Sequence, residues 1–441
     1  MAPRPIPLDR WCATKIACEG PLSRESIERH QLAHLRALLA WAIERSPFYR
    51  QRLAGCNPHI ESLDALAALP FTDAEDVRRN QPSLLCVSQS DISRVVTLQT
   101  SGTSGAVKRL YFTAEEQAAT VDFFQHGMAQ QTEPGDRVLI LFPCARPGSI
   151  GTLLAEAVAR LDATPITAGP IQDMAAALAL FERERPTVVA GLPVQVRALA
   201  RCTRLRRGAA AAVRSVLLSA DPVSPRLARD IRDDWHCEVF EHYGMTEMGL
   251  GGAVACWAHQ GGHLRENDLL VEIVDPISGR PLPEGERGEV VVTTLTRRGM
   301  PLIRYRTGDL SRLIPGRCRC GSPLRRLDRV TRVELAQLAL QPGAVLTLDT
   351  LDQTLFAIAA LTDYAVAWRP GPPPELRFAL AHAPEEDFDH PAWLRRVEQA
   401  LYRLPIIRAA RAQTGLSLAL SLTGSPLCDR PSKRAIERIA P

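Results

Sequence analysis

Lysine is nearly absent from this chain of 441 residues: Lys15, Lys108 and Lys433 are the only three among 53 basic side chains. Where charge alone suffices the chain uses arginine, so a persisting lysine points to a need for a compact, rotatable ammonium. A large net charge is also missing. At +4, with arginines scattered among acids, the sequence has no basic face for nucleic acid or an anionic membrane. Its densest cluster, Arg204-Leu205-Arg206-Arg207, reads as a solvated loop. No run of about 18 apolar residues offers a spanning helix, and Met1–Pro7 lacks the apolar core of a signal peptide. A cytoplasmic protein is expected. The 11 cysteines are too dispersed for a small disulfide scaffold and read mostly as buried thiols. Internal repeats are lacking, and low-complexity sequence is confined to Ala209–Ala212 and the Pro-rich stretch 369–374. With 46% hydrophobic and 23% charged residues, the chain can bury a large core in two or three domains.

What is present centres on Lys108. It closes the run Thr100-Ser101-Gly102-Thr103-Ser104-Gly105-Ala106-Val107-Lys108. Such a loop offers backbone N–H and hydroxyl groups to phosphate oxygens without side-chain obstruction, and a terminal lysine adds charge. The alternative is an ordinary Gly-rich turn. A Walker A loop is excluded, because two residues separate Gly105 from Lys108. Val95–Leu98 before it reads as a strand, and Thr113-Ala114-Glu115-Glu116 after it as a capping box opening a helix.

Two further stretches carry chemistry. Glu241-His242-Tyr243-Gly244-Met245-Thr246-Glu247 offers a flat ring for a base, a hydroxyl for a phosphate and a carboxylate for Mg²⁺. In Tyr305-Arg306-Thr307-Gly308-Asp309-Leu310, Asp309 can accept from both hydroxyls of a ribose. Alone, Tyr243 would be a half-buried core aromatic and Glu247 a surface acid. Their clustering favours a nucleotide site. Cys256, His259, His263, Cys318 and Cys320 supply the thiolate and imidazole donors that Zn²⁺ selects, with a pair of surface thiols as the alternative.

From residue 95 onward strands alternate with helices, as in a layered α/β protein. Val138–Phe142, Thr187–Gly191 and Val213–Ser219 read as buried parallel strands, and Gln172–Glu184 as a helix. Ser219-Ala220-Asp221 follows the third strand, on the side where such sheets bind ligands. From Leu269 the pattern becomes hairpin-like, with Gly288–Thr294 after a Pro-Glu-Gly turn.

The three motifs, in this order, resemble those of the adenylate-forming superfamily, the acyl-CoA synthetases and their relatives. The family's phosphate motif is usually Thr-Ser-Gly-Thr-Thr-Gly-x-Pro-Lys; here Ser104 and Val107 depart from it. Gly261–Asp268, Val271–Pro276 and Gly316–Gly321 resemble the phenylacetate-CoA ligase branch. The resemblance implies an α/β adenylate-forming fold: a large layered N-terminal domain, 1–328, and a small mobile α+β C-terminal domain, 329–441. It implies an AMP-forming ligase using ATP, Mg²⁺ and coenzyme A on a small carboxylic acid, aryl or arylacetic by branch, and a homodimer.

Residue by residue, the resemblance gives the β- and γ-phosphates to Thr100–Gly105 and Lys108, and the α-phosphate to Thr246. Mg²⁺ goes to Glu247, with Thr103 as a further ligand, and the ribose to Asp309. Ser219, Ala220, Asp221, His242, Tyr243, Gly244 and Met245 would line the adenine site. Arg326 and Arg329 stand where a ribose or phosphate arginine is often found, with a plain surface charge as the alternative. Lys433 matches the lysine that bridges the carboxylate and the α-phosphate. Cys256, His263, Cys318 and Cys320 are the best-matching zinc set, with His259 competing for the fourth place.

The acid pocket is expected along Phe142–Gly148 and His242–Gly252, whose glycines either admit a flat ring or serve turns. The family's Gly-Arg-x-Asp-Asp hinge would fall at Val333–Gln337, where both aspartates are missing. Two other classes therefore stay open: an adenylating enzyme that delivers acyl or AMP to a non-CoA acceptor, and an inactive nucleotide- and zinc-binding accessory protein.

Overall fold

The computed structural model describes residues 6–18, 20–98, 107–205, 212–332, 337–341, 343–383, 388–423 and 434–439. They fall into two compact units. The first comprises Met1–Glu133, Arg146–Leu161 and Phe240–Val330, and the second Pro134–Ala145, Asp162–Val239 and Thr331–Pro441. No helix among the described residues is long and apolar enough to cross a membrane.

In the first unit, Arg94–Leu98 forms the expected strand, and Thr113 opens the helix Ala114–Met128. The capping box closes as its sequence requires. Thr113 Oγ1 accepts from the Glu116 N–H at 3.3 Å, and the Glu116 carboxylate accepts from the Thr113 N–H at 3.0 Å. Between them lies a strand that the sequence reading did not anticipate, Lys108–Phe112, antiparallel to Arg94–Leu98 with Lys108 opposite Leu98. Leu110 and Phe112 alternate inward, a period-2 signal only two residues long. Leu269–Val274, Gly288–Thr294 and Tyr305–Ser311 form the antiparallel meander expected beyond residue 269. Ala253–Ala255 pairs antiparallel with Gly262–Leu264 and with His242 and Tyr243.

In the second unit, every residue of Val188–Gly191 and Ser215–Leu218 is buried. Unbroken apolar strands of this kind suit a parallel sheet covered on both faces. The order is Thr164–Thr167, Arg137–Ile140, Val188–Gly191, Ser215–Leu218, all parallel. The helix Met174–Glu184 starts at Asp173, whose carboxylate accepts from the Ala175 N–H at 2.7 Å. Phe181 from this helix stacks on Trp235 of the helix Pro225–Trp235 at 5.5 Å.

The C-terminal segment is α+β. Ser417–Leu422, Glu375–His382, Leu361–Arg369 and Ile436–Arg438 lie side by side in that order, with Leu348–Leu355, His390–Tyr402 and Pro405–Thr414 as helices. The Pro-rich stretch 370–374 is a hairpin loop here, with Arg369 opposite Glu375.

The expected division at 328/329 lies beside the boundary after Val330, yet Thr331–Pro441 packs with Asp162–Val239 as one unit. Arg197, on the helix Pro193–Leu205, is the physical reason. Fully buried, it donates from Nε to Asp230 at 2.7 Å. Its other nitrogens donate to the carbonyls of Leu361 at 3.0 Å, Thr362 at 3.3 Å and Phe356 at 3.2 Å. Phe356 caps the C-terminus of Leu348–Leu355, and Arg226 also donates to its carbonyl, at 3.0 Å. Two cations thus satisfy an orphan acceptor at the negative end of a helix. Residues 333–336 of the expected hinge lie outside the described residues, and Gln337 begins a strand.

Removing one partner of a buried ion pair costs about 3–5 kcal/mol. Arg197→Met is therefore expected to lower the unfolding free energy by about that much and to speed amide exchange along Leu361–Arg369. A loss below about 0.5 kcal/mol in denaturant titration, the range of an ordinary surface substitution, would contradict this account of the packing.

Candidate functional site

Side chains from separate motifs meet in the first unit. Lys108 Nζ forms an ion pair with Glu247 Oε1 and donates to the Tyr305 hydroxyl at 3.3 Å. That hydroxyl donates to Glu247 at 3.4 Å. Glu247 sits on the one-turn helix Thr246–Met248, which follows the strand Glu238–Tyr243 after two residues. Burial, reinforced by the Glu247 charge, pushes the Tyr305 phenol well above its usual range, so it acts as a neutral donor. The carboxylate is held between a cation and a hydroxyl. A third group, absent from the expected set, fixes the main chain of this turn: Arg297 donates to the Glu247 carbonyl at 2.7 Å.

Asp309 is buried and accepts from the Tyr243 hydroxyl at 3.0 Å. The ring expected at the base and the carboxylate expected at the ribose are therefore neighbours. Gly308, at φ 73°, makes the left-handed turn that precedes Asp309, and its N–H donates to Glu289 at 3.0 Å. Arg306 is committed to the same Glu289.

His242 packs beside Phe123 and Phe124, each ring centre 5.9 Å away. Burial lowers its pKa to about 4, so the imidazole is neutral at physiological pH. Gly244 has to be glycine, because a Cβ there would collide with the Leu250 carbonyl. At Gly251 a Cβ would meet the Phe123 ring, and at Gly252 the Met248 sulfur. At these three glycines the protein's own atoms fill the space, which favours close packing over an open floor.

Ser219-Ala220-Asp221 lies in the second unit, directly after the strand Ser215–Leu218, with the Ser219 N–H donating to the Gly191 carbonyl at 3.3 Å. Ala220 has φ 70°, uncommon for a residue with a Cβ. Thr100–Gly105 and Lys433 lie outside the described residues. Arg326, expected at the nucleotide, is spent elsewhere. It is buried and donates to the carbonyls of Gln260 at 3.1 Å, Pro315 at 3.2 Å and Gly316 at 3.0 Å. For Arg329, the main-chain N–H donates to the Asp328 carboxylate at 2.8 Å.

The loops that Arg326 ties together carry the Cys/His set. Cys256, His263, Cys318 and Cys320 are all buried, and their donor atoms lie within 4.8 Å of one another. Cys256 Sγ is 3.7 Å from Cys318 Sγ, and Cys320 Sγ is 3.3 Å from His263 Nε2. A tetrahedral Zn²⁺ with Zn–S bonds of about 2.3 Å would set sulfurs about 3.75 Å apart. The donor set and spacing fit that ion. The Leu324 carbonyl, 3.4 Å from His263 Nδ1, can orient the ring with Nε2 inward. His259, the competitor, is exposed and packs against Phe240 at 5.0 Å. Burial disfavours an imidazolium at His263, but hydrogen bonds with Cys318 and Cys320 outweigh it and raise its pKa to about 9.

The sequence pattern of the AMP-binding enzymes matches residues 51–296, more than half of the chain. The chain belongs to that family. Within these adenylate-forming enzymes it stands on the phenylacetate-CoA ligase-like branch. A phenylacetate-coenzyme A ligase of Thermus thermophilus is 30% identical over 311 residues, 68% of each protein. One of Pseudomonas putida is 29% identical over 327 residues, 70% of this chain and 71% of the relative. A 2-hydroxyisobutyryl-CoA ligase crystallised in its postadenylation state is 20% identical and aligns over 95% of this chain and 90% of its own, with a TM-score of 0.76. That likeness shows a shared fold.

Proposed function

We infer that this protein is an AMP-forming acid–CoA ligase that activates an aryl or arylacetic acid as its acyl-adenylate and then transfers the acyl group to coenzyme A. The observation that carries the site assignment is the meeting of Lys108, Glu247 and Tyr305, and of Tyr243 and Asp309, in a chain of this family.

In the first half-reaction a carboxylate oxygen attacks the α-phosphate of ATP, and pyrophosphate leaves. The acid is already ionised at neutral pH, so no general base is required. What the reaction needs is positioned cations and donors for the charge that builds on phosphate oxygens. Lys108 balances Glu247 in the free protein, and its three rotatable donors can turn to the β- and γ-phosphates, which Thr100–Gly105 would share. Glu247, with Thr103, would hold Mg²⁺, which supplies charge neutralisation at the phosphates. Thr246 is assigned to the α-phosphate and Asp309 to the ribose. Tyr243 is assigned to the adenine, along with Ser219–Asp221 and His242–Met245, and Arg329 to ribose or phosphate.

Lys433 would bridge the carboxylate and the α-phosphate, and a turn of 329–441 between the half-reactions would have to release the Arg197 bonds to Phe356, Leu361 and Thr362. In the second half-reaction, the CoA thiolate attacks the acyl carbon and AMP leaves. The aryl or arylacetic preference rests on the relatives named for phenylacetate. None of the ten described cysteines is in a disulfide, which suits a reducing cytoplasm. Zn²⁺ on Cys256, His263, Cys318 and Cys320 would tie the loop after the adenine motif to the loop after the ribose motif.

ATP–pyrophosphate exchange across aryl, arylacetic and short aliphatic acids tests the reading. Acid-dependent exchange is expected, with AMP accumulating when CoA is added and Lys433→Ala slowing exchange by about 10²–10³-fold. Binding of ATP without exchange for any acid would contradict it, and exchange that never yields a CoA thioester would redirect it to another acceptor. For the metal, elemental analysis should find about one zinc per chain, lost together with thermal stability in Cys318→Ser. A zinc-free protein of undiminished stability would remove that assignment.

A further inference from the structure

Arg297 lies in none of the motifs read from the sequence, yet it is among the most buried cations of the first unit, with its side chain 7% exposed. Nη1 donates to the Glu247 carbonyl at 2.7 Å and Nη2 to the Tyr111 carbonyl at 2.9 Å. The guanidinium lies over the Phe112 ring, 4.5 Å from its centre. Its nearest carboxylate, Glu116, is 3.9 Å away and already accepts from the main-chain N–H groups of Thr113, Arg298 and Gly299. Burial disfavours this guanidinium, and the nearby Glu116 and Glu247 charges offset that cost only in part. Two ordinary uncharged donors would tie the same segments at lower desolvation cost.

What distinguishes the arrangement is which segments are tied. Tyr111 lies three residues beyond Lys108 on the strand Lys108–Phe112. The other carbonyl belongs to Glu247 itself. One rigid fork therefore spans the strand that presents the ammonium and the turn that presents the carboxylate. We propose that Arg297 is a positioning residue of the adenylation site, holding the strand that carries Lys108 against the turn that carries Glu247 so that both side chains can reach a metal–triphosphate ligand. This rests on the ligase reading above. Lysine in its place keeps the charge but has a single compact ammonium in place of the planar fork.

The test is Mn²⁺ binding in the presence of saturating ATP and no acid, followed by the electron paramagnetic resonance of free Mn²⁺, in wild type, Arg297→Lys, Arg297→Met and Arg298→Ala. Groups that orient metal ligands typically change metal affinity by about 10–100-fold when altered. Arg297→Lys and Arg297→Met are expected to weaken Mn²⁺ within that range. Arg298→Ala, which loses a neighbouring cation stacked 5.5 Å from Trp41 but no bond to Glu247, should keep wild-type affinity.

Melting temperatures separate positioning from folding, and Arg297→Lys decides the matter if the methionine variant does not fold. An Arg297→Lys protein that binds Mn²⁺ as tightly as wild type overturns the proposal, as does equal weakening in Arg298→Ala. Absence of acid-dependent exchange in the wild type would instead overturn the ligase reading, and this proposal with it.

Discussion

The interaction on which the candidate site depends is the sheltered ion pair between Lys108 and Glu247. An ion pair on the surface would contribute at most about 1 kcal/mol and exchange freely with water. This one is largely buried, bridged by the Tyr305 hydroxyl, and anchored through the main chain of Glu247 by Arg297. Neither charge has a low-cost unpaired state there, so each defines the position of the other. The same property makes the pair suited to a charged ligand. Under the proposed function a triphosphate with its cation would take over both partners at once, whereas either component alone would leave one buried charge uncompensated.

Arginine does structural work in each of the two units. Arg297 ties a strand to a turn, Arg326 ties three loop carbonyls beside the Cys/His cluster, and Arg197 ties the C-terminal segment to the helix Pro193–Leu205. In each case the acceptors are largely main-chain carbonyls, and a planar fork with several donors reaches more than one of them. In a chain with 53 basic residues, of which only three are lysine, these buried forks serve architecture.

The reach of these forks also bears on what could be read from the sequence. Lys108, Glu247, Tyr243 and Asp309 could be singled out because they stand in clustered motifs that resemble a family's, and the Thr113–Glu116 cap follows from a spacing of three. The buried strands Val188–Gly191 and Ser215–Leu218 announce themselves as unbroken apolar runs. Arg297 and Arg197 were not legible, because a side chain that binds distant carbonyls leaves no mark on those partners: any residue has a carbonyl. The strand Lys108–Phe112 was missed because its alternation is too short to compete with the adjacent cap. Arg326 was misplaced for a related reason, since position after the ribose motif said nothing about which way the guanidinium turns. His263 already stood in the best-matching zinc set, and the strand pairing of Gly262–Leu264 with Arg326 and Leu327 brings it to Cys318 and Cys320 and leaves the competitor His259 outside.

The central claim, that Lys108 and Glu247 act as one unit toward nucleotide and metal, is tested most directly by a double-mutant cycle on Mg²⁺–ATP binding measured by titration calorimetry, using Lys108→Met, Glu247→Gln and both together. The account predicts strong coupling, about 1–3 kcal/mol, with the double variant far from the sum of the single losses. Losses that add to within about 0.3–0.5 kcal/mol would show two independent contacts and contradict it.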